Sequence, residues 1–341
     1  MCDDLTEEDT KRWLAEKRLG RREFAAGVGA AAAVLVAGCE GDDDEPSDKK
    51  DAGSSPGGKG GAGGAGGAGG AGGAGGAGAK GGSGGSAAKD AGTGLTTKSS
   101  MVSIDMADGK KADAFFVYPE SGAHAAVIVW PDILGLREGF KTMGTRLAAD
   151  GFAVLVLNQY YRNAAAPVLS SWEEWMTAEG KAKLQPMIDA LTPDAIATDS
   201  TSYVEWLDKQ SAVDTKKKIG TSGYCMGGPF TFRTAAKNPD RVGAFASLHG
   251  GSLVTDAADS PHKLFGEMKA SGLIAIAMND DMRMPDAKKT LEDAAKAADV
   301  EAEIEVYPAP HGWCAIDSAA FDEEQADKAY ARMLALFEKA L

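Results

Sequence analysis

The chain has few cysteines, only four in 341 residues. Cys2 and Cys39 lie near the N-terminus, which leaves Cys225 and Cys314 for the rest of the chain. Two cysteines cannot supply the several bridges that hold a small secreted domain together. The sequence therefore excludes a disulfide scaffold.

The chain also lacks an excess of positive charge. It has 36 Lys and Arg against 50 Asp and Glu, which gives a formal net charge of −14. A nucleic-acid-binding protein usually shows a basic patch with interleaved aromatic residues, and the sequence contains none. We therefore expect no nucleic-acid partner, and the acidic excess indicates a soluble protein surface.

Residues 42 to about 100 have almost no apolar side chains. An acidic stretch leads into a Gly-Gly-Ala repeat and then into a Gly/Ser/Lys segment. The repeat has two glycines per triplet and no proline, which excludes collagen. Such a segment cannot bury a core and is typical of a flexible tether. We expect residues 40–97 to form a disordered linker and residues 98–341 to form one domain of ordinary size.

Residues 1–39 have the pattern of a targeting segment. Four basic residues between positions 17 and 22 precede an apolar stretch, 24–36, that is too short to span a bilayer as a mature helix. Arg21-Arg22-Glu23-Phe24 resembles the twin-arginine export signal. Val36-Ala37-Gly38-Cys39 resembles the bacterial lipobox, whose cysteine is lipidated and becomes the new N-terminus. We expect an exported bacterial lipoprotein, anchored at the periplasmic or cell-surface face; the alternative is a chance cysteine at the end of a signal peptide.

The remainder of the chain alternates strand-like and helix-like segments. The alternating runs 101–106 and 112–118 are joined through Asp108-Gly109, a hairpin signal. Continuous apolar runs at 125–130 and 152–157 are typical of strands buried on both faces, and residues 163–193 look long and irregular. Further strands are expected at 218–222, 242–248, 273–278 and 301–307, with helices at 138–150, 192–210, 286–298 and 322–341. This order predicts an α/β fold with a mostly parallel central sheet flanked by helices, and with sites at the carboxyl ends of its strands.

The most informative motif is Gly223-Tyr224-Cys225-Met226-Gly227, which lies between a strand-like and a helix-like run. Strand, G-x-nucleophile-x-G, helix is the nucleophile elbow of α/β-hydrolases, here with Cys in place of Ser. The turn lifts the sulfur above the sheet and aims the Met226 N–H at a developing oxyanion. The motif predicts a covalent thioester at Cys225; the alternative is a buried cysteine in a glycine-rich turn.

A thiol nucleophile needs a base, and the domain has four histidines. His311 directly follows the last strand, where the triad histidine of this fold belongs. His249 ends the strand after the elbow, which is too early for an acid to precede it. His124 and His262 are expected at the surface. We therefore predict that His311 is the base.

The acid should end the preceding strand, and both Asp280 and Asp281 do so. Asp281 is favoured because it stands four residues before Pro285, where the loop is expected to turn into the next helix. Its role would be to hold the His311 tautomer and stabilise the imidazolium. Either residue could instead cap the turn.

Four motifs in order resemble the dienelactone hydrolase family: the run 127–136, the elbow, Asp281-x-x-x-Pro285 and Pro310-His311-Gly312. The likeness covers nearly the whole domain from Met101. It implies an α/β-hydrolase that uses a Cys-His-Asp triad on lactones or esters, without a metal or organic cofactor.

The resemblance implies further site residues. Asp132 falls where many family members have a Glu that contacts the thiol and helps to form the thiolate, and Asp is one methylene shorter. The backbone N–H groups of Ile133 and Met226 would form the oxyanion hole. Arg162 would lie near the substrate, as would Tyr160 from its place after the second buried strand. The alternative for both is a solvated loop end.

The namesake enzymes hold a substrate carboxylate with two arginines, one of them a few residues after the catalytic histidine. Here the segment 312–317 has no cation and offers Trp313 as an apolar wall instead. Trp172 and Trp175 would add to it if the irregular segment folds over the site. Alternatively, all three tryptophans pack on the core. The sequence therefore predicts a preference for neutral or more apolar small esters and lactones.

Two other functions stay open. One is a general carboxylesterase without a lactone preference, and the other is a non-catalytic tethered binding module that kept the fold. The complete triad argues against the second, because drift would be expected to break one of its members. We expect a monomer that acts on a small-molecule substrate and contacts the membrane only through its lipid anchor.

The lipidation of Cys39 is directly testable. In a bacterial host the wild type should fractionate with membranes and Cys39→Ala should not, because stable anchoring needs the acyl chains that this cysteine would carry. Cys2→Ala should behave as the wild type, since Cys2 would leave with the signal. A mature protein that retains Met1 would contradict the prediction.

Overall fold

The computed structural model describes residues 94–341. The expected signal segment, Cys39 and the linker up to residue 93 lie outside the described residues. Within residues 94–341, no helix combines the length and apolar character that crossing a membrane requires.

The centre of the fold is an eight-stranded sheet in the order β1-β2-β4-β3-β5-β6-β7-β8. The first two strands form the expected antiparallel hairpin, β2 pairs antiparallel with β4, and all remaining neighbours are parallel. The α/β class with a mostly parallel sheet is confirmed. The strands are β1 (Thr97–Asp105), β2 (Lys111–Pro119), β3 (Ala126–Trp130), β4 (Ala153–Leu157), β5 (Ile219–Tyr224), β6 (Val242–Leu248), β7 (Ser271–Ala277) and β8 (Ala302–Tyr307).

Helices flank this sheet, and most begin or end within a few residues of their expected positions. Short 3₁₀ helices lie at Cys225–Gly227 and Pro261–Glu267. The α-helices are α1 (Glu138–Ala149), α2 (Trp172–Trp175), α3 (Ala178–Asp189), α4 (Pro193–Leu207), α5 (Gly228–Lys237), α6 (Met278–Arg283), α7 (Ala287–Ala297) and α8 (Glu323–Ala340).

The continuous apolar strands are buried on both faces, as the sequence predicts for the centre of a parallel sheet. Alternate residues of β3 enter two different cores. Val127 and Val129 pack in the core that contains Phe140 of α1 and Phe337 of α8. Ile128 and Trp130 pack with residues of α4 on the opposite face.

Residues 163–193 were expected to be irregular. This prediction is wrong, because the segment contains the helices α2 and α3. Each helix begins at a hydroxyl cap: Ser171 accepts a hydrogen bond from the Glu174 N–H, and Thr177 accepts one from the Gly180 N–H. The pattern Ser171-x-x-Glu174 is a capping box that could have identified the first helix. Pro186 lies inside α3, a position that a sequence pattern disfavours for a helix.

Candidate active site

The strand–turn–helix arrangement of the elbow is present. Cys225 follows β5 with φ of 53°, a left-handed conformation that costs energy for a residue with a Cβ. An added Cβ at Gly223 would lie 2.0 Å from the Gly227 carbonyl oxygen, and one at Gly227 would lie 2.3 Å from the Trp130 carbonyl oxygen. Both glycines of the motif are therefore steric requirements of the turn.

Cys225 and His311 line the same pocket and share a hydrogen bond. Burial alone would lower the pKa of His311, but Cys225 and Asp280 raise it to about 10. Since the Nδ1 atom of His311 is bonded to Asp280, Nε2 is the nitrogen left for the thiol. This arrangement favours an imidazolium beside a thiolate.

The carboxylate beside His311 belongs to Asp280, so the prediction of Asp281 is wrong. His311 Nδ1 lies 2.6 Å from Asp280 Oδ2, and Arg283 lies 3.2 Å from the other carboxylate oxygen. The expected loop is a helix: β7 ends at Ala277 and α6 begins at Met278. Successive helical side chains point about 100° apart. Only one of the two aspartates can therefore face His311.

The preceding residue holds the backbone of the same histidine. Asn279 Oδ1 accepts a hydrogen bond of 2.8 Å from the His311 N–H. Asn279 and Asp280 thus fix the main chain and the ring of His311 together. The sequence reasoning missed Asn279, although its place at the end of the β7 run could have suggested it.

A second imidazole, that of His249, contacts the backbone of Cys225. The Cys225 N–H donates to His249 Nδ1 over 3.1 Å, and the centroids of the His249 and His311 rings lie 5.0 Å apart. Burial, together with the neighbouring His311, holds the pKa of His249 well below its usual value. His249 is therefore neutral and supports the backbone of the elbow, whereas the sequence had only excluded it as the base.

The loop after β3 lies against the elbow. The Tyr160 hydroxyl donates to the Ile133 carbonyl over 2.7 Å and lies 4.0 Å from Met226 Sδ. The two residues expected to form the oxyanion hole are thereby brought to the same place. Tyr160 itself is only 1% exposed and does not line the pocket, so it supports this loop rather than the substrate.

Asp132 has a different partner from the one that the resemblance implies. Its two carboxylate oxygens lie 2.6 and 2.9 Å from the guanidinium nitrogens of Arg137, and one of them also accepts from the Leu134 N–H. A thiol-activating role for Asp132 stays a prediction. Arg137 was missed by the sequence reasoning because no motif marks it.

Arg162 is paired with carboxylates of the chain itself, and its expected place near the substrate stays a prediction. Its guanidinium pairs with Asp199 at 2.6 Å and with Asp108 at 2.9 Å, and it covers the Tyr161 ring. These partners occupy the donors that would be needed to clamp a substrate carboxylate. The arginine instead joins the turn of the β1–β2 hairpin to α4.

The expected tryptophan wall is also wrong. Trp313 is fully buried and stacks on Tyr307 with 4.7 Å between ring centroids. Trp172 and Trp175 pack in a core cluster with Leu184 of α3. The alternative interpretation, that these tryptophans anchor the core, is the one that the structure supports.

The pocket itself has a volume of about 140 Å³, close to an apolar cavity that holds one benzene ring. Within residues 94–341, no group of three or more His, Cys, Asp or Glu could hold a metal ion. The pocket lining is mostly apolar, and α3 and the residues after it supply part of the wall. The lining residues are Ile188, Leu191, Cys225, Met226, Pro229, Phe230, Gly251, Ser252 and His311.

The fold and the elbow define an α/β-hydrolase with a cysteine at the nucleophile position. Residues 112–341 match the dienelactone hydrolase family, and the chain belongs to that family. It is 25% identical over 236 residues to a protein of Salmonella typhi named "Putative carboxymethylenebutenolidase", with 67% of this chain and 83% of that protein covered. A Yersinia pestis protein with the same name is 26% identical over 236 residues, with 67% and 84% covered.

The solved structures agree on the fold. The crystal structure named "Putative Dienelactone Hydrolase from Klebsiella pneumoniae" superposes with a TM-score of 0.62 at 24% identity. The match covers 72% of this chain and 99% of that one. The chain is therefore an enzyme of the dienelactone hydrolase type.

The contact between His311 and Asp280 predicts a pH effect. The pKa of His311 is raised from 6.5 to about 10, so its protonated form should persist until the pH rises through about 10. The raised pKa of His311 stabilises the folded state. This contribution to the free energy of unfolding is complete below pH 6.5 and is lost as the pH rises through about 10. Asp280→Asn should move the alkaline limb of kcat/KM to lower pH and reduce kcat/KM about 10²-fold or more.

Asp281→Asn is the matched control, because it changes the adjacent carboxylate in the same helix. It should leave kcat/KM within about twofold and the alkaline limb in place. Equal losses in the two variants would argue against Asp280 as the partner of His311.

Proposed function

We propose that the protein hydrolyses small ester or lactone substrates through an acyl-enzyme on Cys225, with His311 as base and Asp280 as the residue that orients it. One observation carries this proposal: His311 contacts Asp280 through Nδ1 and Cys225 on its other side, at the wall of one pocket. This is the order of partners that nucleophilic acyl transfer needs.

The first half of the reaction forms a thioester. The Cys225 thiolate attacks the carbonyl carbon, the C–S bond forms and the carbonyl electron pair moves onto oxygen. The N–H groups of Ile133 and Met226 receive this oxyanion. Collapse of the intermediate breaks the C–O bond, and the leaving alkoxide takes the proton from His311 Nε2.

The second half returns the enzyme. His311, now neutral, accepts a proton from water as the water attacks the thioester carbon. Collapse of this second intermediate breaks the C–S bond, releases the carboxylic acid and restores the thiolate beside the imidazolium. Asp280 stays ionised and stabilises the imidazolium in both halves.

The resting thiolate has a second source of stabilisation. Cys225 stands directly before α5 (Gly228–Lys237), so it lies at the positive end of a helix of ten residues. The N-terminus of a helix favours a negative charge. The helix and His311 therefore act in the same direction on the sulfur.

The pocket favours an uncharged substrate. Five of its lining residues are apolar, and within the part of the chain that the structure describes its lining contains no Lys or Arg. With Arg162 held by Asp108 and Asp199, neither arginine of a carboxylate clamp is in place. The volume fits an acyl group of about the size of one aromatic ring. A general carboxylesterase is the second candidate, favoured by the same apolar lining.

The nucleophile can be tested directly. Cys225→Ala and His311→Ala should each remove nearly all hydrolysis of a chromogenic ester, because triad losses cost several orders of magnitude. Iodoacetamide should label Cys225 before Cys314. Both thiols are buried, but Cys225 lines the pocket beside His311, whereas burial raises the pKa of Cys314 well above the usual value. Cys314→Ala serves as the control and should keep its activity. If Cys225→Ala retained more than about a tenth of wild-type turnover, the mechanism would be wrong; a wild type without hydrolytic activity would favour the binding module.

The charge preference is a separate prediction. The wild type should hydrolyse a neutral aryl acetate with a kcat/KM roughly 10- to 100-fold above that for an anionic dienelactone. The pocket lining offers the anionic substrate no cation, and a charge-assisted hydrogen bond of this kind contributes about 1.5–3 kcal/mol. Ser252→Arg places a cation at the pocket wall and should narrow this ratio, while Ser252→Gln should not. A wild type that prefers the anionic lactone would contradict the prediction. A neutral lactone beside the matching open-chain ester separates a lactonase from a general carboxylesterase.

A further inference from the structure

One guanidinium joins two loops of the active site that are far apart in the sequence. Arg137 contacts both oxygens of Asp132, in the loop that carries Ile133. It also contacts both oxygens of Asp317, at 2.7 Å through Nε and at 2.8 Å through a terminal nitrogen. Asp317 lies six residues after His311 in the chain.

The Arg137–Asp132 half of the bridge is buried, and Asp317 is partly exposed. The side chains of Arg137 and Asp132 are 9% and 2% exposed, and that of Asp317 is 36% exposed. Burial alone would lower the pKa of Arg137, but Asp132 and then Asp317 raise it above its ordinary value. Two bidentate contacts need the planar fork of an arginine, which lysine does not have.

At one end, the bridge fixes the peptide that presents the Ile133 N–H. This N–H shares its peptide plane with the Asp132 carbonyl, which accepts hydrogen bonds from Gln159 Nε2 and the Gly135 N–H. The Asp132 side chain closes the same turn by accepting from the Leu134 N–H. Arg137 holds that side chain and also donates to the Gly135 carbonyl.

At the other end, the bridge fixes the segment that follows His311. This segment is a series of tight turns, with backbone hydrogen bonds from Trp313 to Pro310 and from Ala315 to Gly312. The Asp317 carboxylate stands against the first turn of α1: a Cβ added to Gly139 would lie 2.4 Å from its Oδ2 atom. A negative charge is favoured at this end of a helix.

We propose that Arg137 is a positioning residue that sets the distance between the Ile133 N–H and the His311 ring, and that Asp132 acts in this bridge rather than on the thiol. The inference rests on the proposed function, because both groups act in the same acyl transfer. An oxyanion hole works only when its donors are fixed before the charge develops. The bridge should therefore matter for kcat more than for substrate binding.

Asp317→Ala tests the bridge while Arg137 keeps its partner Asp132. Its kcat should fall about tenfold or more, with KM within about twofold, because the substrate pocket is not touched. Asp317→Glu keeps the carboxylate and should recover most of the loss. Asp327→Ala is the matched control, since it removes another Arg–Asp pair on α1, that of Arg146, away from the site. A kcat within twofold of the wild type, or an equal fall in the control, would overturn the inference.

Gly139→Ala provides a second route that removes no charge. The added Cβ should displace the Asp317 carboxylate from Arg137 and lower kcat to a similar extent. In the Asp317→Ala background the same change should add almost nothing, because the group that it displaces is already gone. Independent, additive losses would overturn the inference. If Asp317→Ala folds poorly, a kcat of Gly139→Ala alone within twofold of the wild type would overturn it.

The pH dependence of the alkylation of Cys225 by iodoacetamide distinguishes the two possible roles of Asp132, in the bridge and on the thiol. Asp132→Asn should reduce kcat but leave the acid limb of the alkylation profile within about 0.3 pH unit of the wild type, a margin of about twofold in the thiolate ratio. A larger shift to higher pH would show that Asp132 activates the thiol. A wild type without esterase activity would overturn the proposed function. An active wild type whose kcat is unchanged in the bridge variants would overturn only this inference.

Discussion

The geometry of the site depends on the left-handed backbone at Cys225. This conformation is sustained by close packing on every side: Gly223 on Gly227, Gly227 on the Trp130 carbonyl and Gly228 on the loop at Gly250. The Cys225 N–H donates a hydrogen bond to His249, and the Cys225 carbonyl accepts one from the Gly251 N–H. Strain of this kind persists only where the surroundings over-determine it. The same contacts bring the loops after β3 and β6 to the sulfur.

Two histidines at this site have opposite electrostatic roles. Cys225 and Asp280 raise the pKa of His311 and favour its charged form, which is the form that the proposed mechanism uses to donate a proton. His249 is buried without an anionic partner and stays neutral. A second positive charge at His249 would oppose the imidazolium 5.0 Å away. The neutral ring thus supports the backbone of the nucleophile without weakening the ion pair.

The charged side chains around the site are mostly used to build it. Arg162 joins the hairpin turn to α4, Arg283 holds the outer oxygen of Asp280, and Arg137 joins the two catalytic loops. What remains for the substrate is a small apolar pocket whose wall includes Ile188 of α3. The proposed recognition by shape and apolar contact rests on this arrangement, because the described lining contains no Lys or Arg that would select an anion.

The sequence by itself determined the fold class and the position of the elbow cysteine. Continuous apolar runs are typical of strands buried on both faces, and G-x-C-x-G between a strand and a helix is the pattern of the elbow. The strands β3 and β4 and the place of Cys225 could therefore be predicted from local pattern. The position of His311 after the last strand followed from the same order. The helices α2 and α3 were not predicted, although Ser171 and Thr177 are capping residues that could have indicated them.

Only the tertiary structure decided which charged groups face one another. Asp280 and Asp281 are adjacent and chemically identical, and the start of α6 at Met278 selects between them. Arg162 was expected near the substrate from the family resemblance and Trp313 from its place after His311. In the structure Arg162 pairs with Asp199 and Trp313 stacks on Tyr307. The partner of a long side chain is determined by which groups the fold buries beside it and by their charge. Sequence spacing does not encode those distances, so these contacts could not be predicted.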